Sequence, residues 1–164
     1  MVNTANISKE LLLGILETVT DPEVPVLTIN DLGILRDVQL KDDGSVEVFI
    51  TPTYNGCPAM DMIATNIRLA LAEHGIQNIK VTSVLSPAWT TDWMSEEGKR
   101  KLKEYGIAPP QYSSGHSRWP NDNVTCPHCN SQHTNLISEF GSTACKALYQ
   151  CNDCQEPFDY FKCH

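Results

Sequence analysis

The stretch ILRDVQLKDDGSVEVFIT, residues 34–51, predicts the element on which the first part of the chain is built. Residues 34–40 and 45–51 alternate apolar and polar side chains or run apolar, as strands with one or two buried faces do. Between them lies Asp42-Asp43-Gly44, and glycine accepts the positive φ that tight hairpin turns require. We therefore expect two antiparallel strands joined by this turn.

Upstream of the hairpin, the sequence predicts a helix and then an ordered loop. Ser8 is a favourable N-cap, and apolar residues recur after it at helical spacing until Asp21-Pro22 ends the helix. The loop DPEVPVLTINDLGIL, residues 21–35, has prolines that forbid a regular helix and Asp and Asn residues that favour side-chain to backbone hydrogen bonds. Its carboxylate pair, Asp21 and Glu23, either belongs to a functional site or ends the helix with solvated charges.

Downstream of the hairpin lies the single cysteine of the first domain, in TPTYNGCPAMDM, residues 51–62. Cys57 precedes Pro58, a residue suited to the first position of a helix, and so Cys57 is the predicted N-cap. At that position the helix dipole and the unpaired backbone N–H groups stabilise a thiolate, which makes Cys57 a candidate nucleophile or metal ligand. The alternative is a small apolar side chain that only packs.

The helix after Cys57 has apolar residues at helical spacing and ends at Gly75, and the β-rich run IKVTSVL follows at residues 79–85. The element order α-β-β-α-β places this part of the chain in the α+β class.

A third helix and a linker complete the predicted organisation. Ser95 begins a polar helix with glutamates in its first turn and basic residues later, and Gly106 ends it. The segment after it is rich in Pro, Ser, Gly and Asn and has no hydrophobic periodicity. We expect an α+β domain at residues 1–106, a linker at 107–123 and a four-cysteine metal module, a zinc ribbon, at 124–164.

Two C-x-x-C pairs predict the metal module. Cys126-Pro-His-Cys129 and Cys151-Asn-Asp-Cys154 are spaced so that four thiolates complete a tetrahedron around one Zn²⁺ ion. Iron or an iron-sulfur cluster suits the same donors, and ligand identity alone does not decide between these metals. We predict zinc. We expect the role of the ion to be structural, because the segment from 125 to 154 has few large apolar residues and the ion would supply about 10 kcal/mol of apparent stability. The nearby His128 and His133 are interpreted as surface residues. The ligand set stays open beyond the two knuckles, since Cys145, Cys163 and His164 are unassigned.

The composition excludes several classes of protein. With 164 residues, 41% of them hydrophobic, the chain suits one ordinary domain and a small module. A net charge of -8 repels a phosphate backbone and argues against nucleic acid as a partner. The N-terminal apolar run is interrupted by Gly14 and Glu17 and lacks a basic leader, so we expect neither a signal peptide nor a membrane span. An odd number of cysteines, two pairs of them in C-x-x-C, favours reduced thiols in the cytoplasm.

The sequence offers little support for an independent enzyme. It singles out no histidine and acid that would partner Cys57, and it contains no glycine-rich phosphate loop, serine elbow or dinucleotide fingerprint.

Three segments together resemble the SufT-like domain family, which includes cytosolic iron-sulfur targeting factors. They are the loop at 21–35, the cysteine segment at 51–62 and SPAWTTDWMSEEGKRKL at 86–102, and the resemblance covers about residues 8 to 105. With the CPHC knuckle and the tail FGSTACKALYQCNDCQEPFDYFKCH, residues 140–164, the whole chain resembles the PaaD-like proteins of phenylacetate degradation.

The resemblance implies an α+β domain in which Cys57 matches the family's reactive cysteine and Asp21 and Glu23 match its acidic loop motif. PaaD-like proteins accompany the multicomponent oxygenase that epoxidises the ring of phenylacetyl-CoA, whose reductase component carries a plant-type iron-sulfur cluster and flavin. The implied role is a maturation factor for that reductase, with Cys57 as a reactive thiolate or transient ligand of iron or a cluster.

Two other roles stay open at this point. One is an auxiliary structural or regulatory subunit of the oxygenase complex, and the other is a cysteine-dependent enzyme that acts on its own. The sequence leaves the oligomeric state open between a monomer and a homodimer, and a homodimer of this family would pair the small domain through its sheet or its loop face.

Overall fold

The computed structural model describes residues 7–111 and 124–162, so Cys163 and His164 lie outside the described residues. The chain divides into two compact units, Met1–Trp89 and Thr90–His164. No helix within the described ranges is long and apolar enough to cross a membrane.

The described part of the first unit contains a three-stranded sheet and two helices. Its elements are α1 (Lys9–Leu16), β1 (Leu35–Leu40), β2 (Val46–Ile50), α2 (Ala59–Glu73) and β3 (Ile79–Ser83). The strand order is β1-β2-β3, with β1 antiparallel and β3 parallel to β2. Helix α1 contacts β1 and α2, and α2 contacts β3, so both helices cover the same face of the sheet. The predicted α-β-β-α-β order and the α+β class are confirmed.

Local chemistry explains where these elements begin and turn. The Ser8 hydroxyl accepts a hydrogen bond from the Leu11 N–H at 3.2 Å, which caps α1. Gly44 has φ 80°, and the Asp43 carboxylate accepts the N–H of Ser45 at 2.9 Å in the hairpin turn. Helix α1 and strand β2 then bury their apolar side chains, including Leu12, Leu16, Val46, Val48 and Ile50.

Glu47, on β2, is a buried carboxylate surrounded by donors. Its Oε2 lies 2.5 Å from Lys41 Nζ, and its Oε1 lies 2.9 Å from Lys80 Nζ and 2.7 Å from Thr82 Oγ1. The hydrogen bond from Lys41, followed by those from Thr82 and Lys80, lowers the pKa of Glu47 to about 2. The folded state therefore favours the ionised form of this side chain.

We expect Glu47→Gln to lower the melting temperature at neutral pH, because the amide loses the two charge-assisted bonds from the lysines. Folding lowers the pKa of this carboxyl, so its ionised form stabilises the folded protein at pH values above the unfolded-state pKa of 4.5. This contribution disappears as the pH falls from 4.5 towards about 2. The difference in melting temperature between wild type and variant should narrow over that range, as measured by circular dichroism. Glu73→Gln, at an exposed position of α2, is the control; a Glu47→Gln difference that is independent of pH would contradict the prediction.

Where the second unit is described, a helix precedes a four-stranded sheet. A 3₁₀ turn at Thr91–Trp93 leads into α3 (Glu96–Glu104), and the strands are β4 (Ile107–Ala108), β5 (Thr134–Ser138), β6 (Lys146–Cys151) and β7 (Pro157–Phe161). The strand order is β4-β7-β6-β5; β6 is antiparallel to both neighbours, and β4 is parallel to β7.

The core of the second unit is aromatic and includes two of the knuckle cysteines. The Tyr149 ring stacks on Phe158 with centroids 5.9 Å apart and meets Tyr160 edge-on at 5.7 Å. The residues of this buried cluster are Ala108, Val124, Cys126, Ala147, Tyr149, Cys151, Phe158 and Tyr160. Residues before and after the two knuckles thus enlarge the core beyond what the segment from 125 to 154 supplies.

Strand β4 lies in the segment that the sequence predicts to be the start of the linker. Ile107 and Ala108 are buried and pair with Asp159 and Tyr160 of β7. A strand of two residues has no periodicity of its own, and its burial depends on a partner far along the chain. The domain limits at 1–106, 107–123 and 124–164 remain a prediction.

Candidate metal centre and candidate cysteine loop

The four knuckle cysteines converge on one point of the second unit. The Sγ atoms of Cys126, Cys129, Cys151 and Cys154 all lie within 4.8 Å of one another. Two of the separations are 3.8 Å, between Cys126 and Cys154, and 3.5 Å, between Cys129 and Cys151. A tetrahedron with metal-sulfur bonds of about 2.3 Å has sulfur-sulfur edges of about 3.8 Å. The donor set and its dimensions fit one tetrahedral metal ion.

The two knuckles repeat the same backbone turn. The Cys126 N–H donates to the Ser131 carbonyl oxygen at 2.9 Å, and the Cys151 N–H donates to the Glu156 carbonyl oxygen at 3.0 Å, five residues on in both cases. The residue after the second cysteine of each knuckle has a left-handed backbone, with φ 61° at Asn130 and φ 66° at Gln155. This repeat brings two pairs of thiols to a common centre.

The thiols of the cluster differ in acidity. The Cys154 N–H makes the largest contribution to lowering the pKa of Cys151 to about 7. At Cys154 the backbone N–H of Glu156 acts in the same direction, but burial and the neighbouring sulfurs prevail and raise the pKa to about 12. Four thiolates are thus not stable side by side without a cation, and a divalent ion would supply the missing charge.

Among the described residues, the other candidate ligands near the knuckles lie outside this cluster of sulfurs. The His128 ring lies close to Gly106, so that a methyl group in place of the Gly106 hydrogen would lie 3.2 Å from His128 Cε1. The Nδ1 atom of His133 lies 3.3 Å from Asp153 Oδ1. The Cys145 sulfur is buried and lies 3.0 Å from Thr143 Oγ1. Within the described residues, only the four knuckle cysteines form a group able to hold a metal ion.

The loop that carries Cys57 connects β2 to α2. The N-cap of α2 is assigned to Pro58, one residue after the expected N-cap at Cys57. Pro58 has helical angles, φ -67° and ψ -21°, and makes no side-chain cap hydrogen bond, so helical backbone begins directly after Cys57. Cys57 is half-buried; its N–H donates to the Tyr54 carbonyl at 3.3 Å, and its carbonyl accepts from Met60 N–H at 3.2 Å. Gly56 has φ 78° and lets the chain turn immediately before the cysteine.

The acidic loop enters the sheet at the end where this cysteine loop leaves it. Leu35, the first residue of β1, is paired with Ile50, the last of β2, and the Thr51 N–H donates to the Ile34 carbonyl at 2.9 Å. Since β3 is parallel to β2, β3 also ends there, and Val84 N–H donates to the Ile50 carbonyl at 2.8 Å. The fold therefore brings both loops to one end of the sheet.

The two carboxylates of the acidic loop are not equivalent. Asp21 is buried, and its Oδ1 accepts the N–H groups of Glu23 and Val24, both at 2.8 Å. It thus fixes the turn of the loop, whereas Glu23 is half-buried. The Trp89 indole N–H also fixes the acidic loop by donating a hydrogen bond to the Leu32 carbonyl at 2.8 Å.

Thr51 is a further residue at this end of the sheet, and no sequence motif predicts a role for it. Its hydroxyl is buried directly after β2 and has no hydrogen-bond partner among the described residues. Such groups are rare in folded proteins. The strand pattern gives no signal for it, because a threonine that ends a strand is ordinary in sequence.

Comparison with known proteins defines the class to which each part of the chain corresponds. Residues 9–85 match the family described as iron-sulfur cluster assembly protein, and residues 111–162 match the PaaD zinc beta ribbon domain. A solved structure of a domain of unknown function from Bacillus anthracis is 29% identical, with a TM-score of 0.54 over 57% of this chain and 90% of that one. The SufT-like fold of the first unit is thereby confirmed.

A relative from Escherichia coli (strain K12) extends over both parts. That protein, which is named as one of the subunits of a "putative 1,2-phenylacetyl-CoA epoxidase", is 54% identical over 92% of this chain and 90% of its own length. The chain belongs to the PaaD family. A shorter relative, the "Fe-S protein maturation auxiliary factor" of Porphyromonas gingivalis, is 36% identical over 58% of this chain and 90% of its own.

Proposed function

We propose that this chain is an accessory protein of aerobic phenylacetate catabolism that matures the iron-sulfur cluster of the reductase in the phenylacetyl-CoA epoxidase system. The relatives support both halves of the proposal, one named as a subunit of that epoxidase and others as iron-sulfur maturation factors. The observation that carries it is the placement of Cys57 on a loop at the same end of the sheet as the acidic loop of Asp21 and Glu23.

The proposed mechanism is ligand exchange at Cys57, with iron or a cluster as cargo. A cysteine thiolate is a soft ligand that suits iron-sulfur clusters, and it can pass the cargo to an acceptor cysteine without turnover chemistry of its own. Asp21 holds the acidic loop in place through its two backbone bonds, and Glu23 brings a second carboxylate to the same loop. Such a thiol requires a reducing compartment, and we place the protein in the cytoplasm.

The second unit has a structural part in this proposal. A set of four thiolates leaves no open coordination position on a tetrahedral ion, which is typical of structural zinc sites. We propose that Cys126, Cys129, Cys151 and Cys154 hold one Zn²⁺ ion and that the ribbon is a scaffold rather than the place of transfer. Homodimerisation through the sheet or loop face stays a prediction.

The proposal is tested by producing the reductase component with and without this chain. We expect reductase made without it to contain much less iron and acid-labile sulfide per flavin and to lose activity in proportion. The visible spectrum and metal content of the purified reductase measure the effect. Reductase that carries its full cluster when this chain is absent would exclude the maturation role.

The name of the Escherichia coli relative favours a second candidate, an auxiliary structural or regulatory subunit of the epoxidase. A subunit remains bound at fixed stoichiometry, whereas a maturation factor dissociates after delivery. Copurification with the epoxidase in a constant ratio, together with full cluster content in the reductase made without this chain, would establish the subunit role.

A further inference from the structure

Hydrogen bonds join the two knuckles independently of the cysteine sulfurs. Ser131, two residues after the first knuckle, donates its hydroxyl to Asp153 Oδ2 at 2.5 Å, and Nδ1 of His133 lies 3.3 Å from Asp153 Oδ1. The backbone adds a third contact, from the Asn152 N–H to the His133 carbonyl at 2.7 Å. Asn152 and Asp153 are the two central residues of the second knuckle, so each of them bonds to the segment that follows the first.

These contacts form a continuous path from one pair of cysteines to the other. The Ser131 carbonyl accepts the Cys126 N–H at 2.9 Å and closes the first knuckle, while the Ser131 hydroxyl accepts the His133 N–H at 3.0 Å. The same hydroxyl then donates to Asp153, whose neighbour in the chain is Cys154. A carboxylate has only acceptor oxygens, and here each oxygen meets a different donor group from the first knuckle segment.

We propose that Asp153 is a positioning residue of the metal centre. Its carboxylate, through Ser131 and His133, holds the two knuckles at the separation that one tetrahedral ion requires. Release of the ion needs the two pairs of sulfurs to move apart, and the bonds to Asp153 oppose that movement. Groups that hold ligands in place commonly change metal affinity by about 10- to 100-fold when they are removed. The inference rests on the proposed zinc centre and is independent of cluster delivery by Cys57.

The test is the rate at which the full-length chain, loaded with one equivalent of Zn²⁺, releases the ion to an excess of a chromogenic chelator. With zinc uptake unchanged, an affinity loss of that size makes Asp153→Ala release zinc about 10- to 100-fold faster than wild type. Asn152→Ala is the matched control, because Asn152 is the adjacent exposed residue and its contacts are made by backbone groups; it should release zinc at the wild-type rate. Loading the same variants with Co²⁺ and recording the thiolate-to-metal absorption shows whether all four sulfurs still bind.

Ser131→Ala provides a second, milder variant in case the first one does not accumulate as a folded protein. It removes only the hydroxyl bond to Asp153 and should also speed release, and the double variant should release zinc no faster than Asp153→Ala alone if both residues act through that bond. Release from Asp153→Ala and Ser131→Ala at the rate of Asn152→Ala would overturn the proposal, as would a wild-type chain that takes up no zinc. Neither result bears on the reductase experiment, so the role of Asp153 and the maturation role fail separately.

Discussion

Replacing Cys151 with serine is expected to abolish stoichiometric metal binding and to unfold the ribbon of the second unit. Cys151 ends β6, is fully buried in the aromatic core and contributes one of four converging sulfurs. A structural zinc ion contributes on the order of 10 kcal/mol at neutral pH, which is comparable to the whole stability of a small domain. The remaining three thiols cannot complete the tetrahedron, and a serine hydroxyl is a poor ligand for zinc.

Metal analysis and hydrogen exchange of the β5, β6 and β7 amides measure this effect. Cys145→Ser is the matched control, because Cys145 is also buried, directly before the same strand, but lies outside the sulfur cluster; it should keep one metal ion per chain. Removal of the metal from the wild type with a chelator should reproduce the loss of protection seen in Cys151→Ser. A Cys151→Ser chain with a full equivalent of metal and protected strands would refute the four-cysteine site.

Replacing Cys57 with serine is expected to reduce the cluster content of the reductase to the level found without this chain. Serine preserves the size of the side chain, but its hydroxyl is scarcely ionised at neutral pH and is a poor ligand for iron-sulfur clusters. The hydrogen bonds at Cys57 that fix the loop are made by its backbone, so the melting temperature should stay close to that of the wild type. Loss of function with an intact fold is the expected combination.

Iron, acid-labile sulfide and flavin in the copurified reductase measure this outcome, with Cys145→Ser as the cysteine control. A Cys57→Ser chain that supports a fully loaded reductase would exclude both cluster transfer through Cys57 and a cysteine-dependent enzyme. The role of an auxiliary subunit would survive that result.

The parts of the fold that the sequence predicts are those that short-range chemistry specifies. Ser8 caps α1 through its own hydroxyl, and Gly44 and Gly75 adopt the positive φ that ends a strand or a helix. Strand β4 could not be predicted in this way, because Ile107 and Ala108 form a strand only by pairing with β7, about fifty residues later in the chain. The parallel pairing of β2 with β3 likewise depends on how α2 packs rather than on either strand alone.

The same distinction applies to the candidate sites. The knuckle cysteines are predictable because both members of a C-x-x-C pair lie on one turn, and the spacing is itself the signal. The role of Asp153 depends on Ser131, 22 residues away, and no sequence pattern marks that pair. The buried hydroxyl of Thr51 and the loop-fixing bonds of Asp21 also become visible only when burial and donors are known.

The left-handed residues that follow the two knuckles have a consequence for how far this ribbon could be stabilised. Glycine adopts that conformation at little cost and asparagine tolerates it, but a residue such as glutamine is disfavoured there by about 1 kcal/mol or more. Asn130 and Gln155 occupy these two positions, so the second knuckle carries the greater backbone strain. Natural proteins are rarely at their stability optimum. The ribbon is accordingly less stable than its fold allows, and the loss of free energy of unfolding is concentrated at one backbone position beside its metal ligands. A residue that adopts the left-handed conformation at lower cost there would stabilise the ribbon without any change in the core.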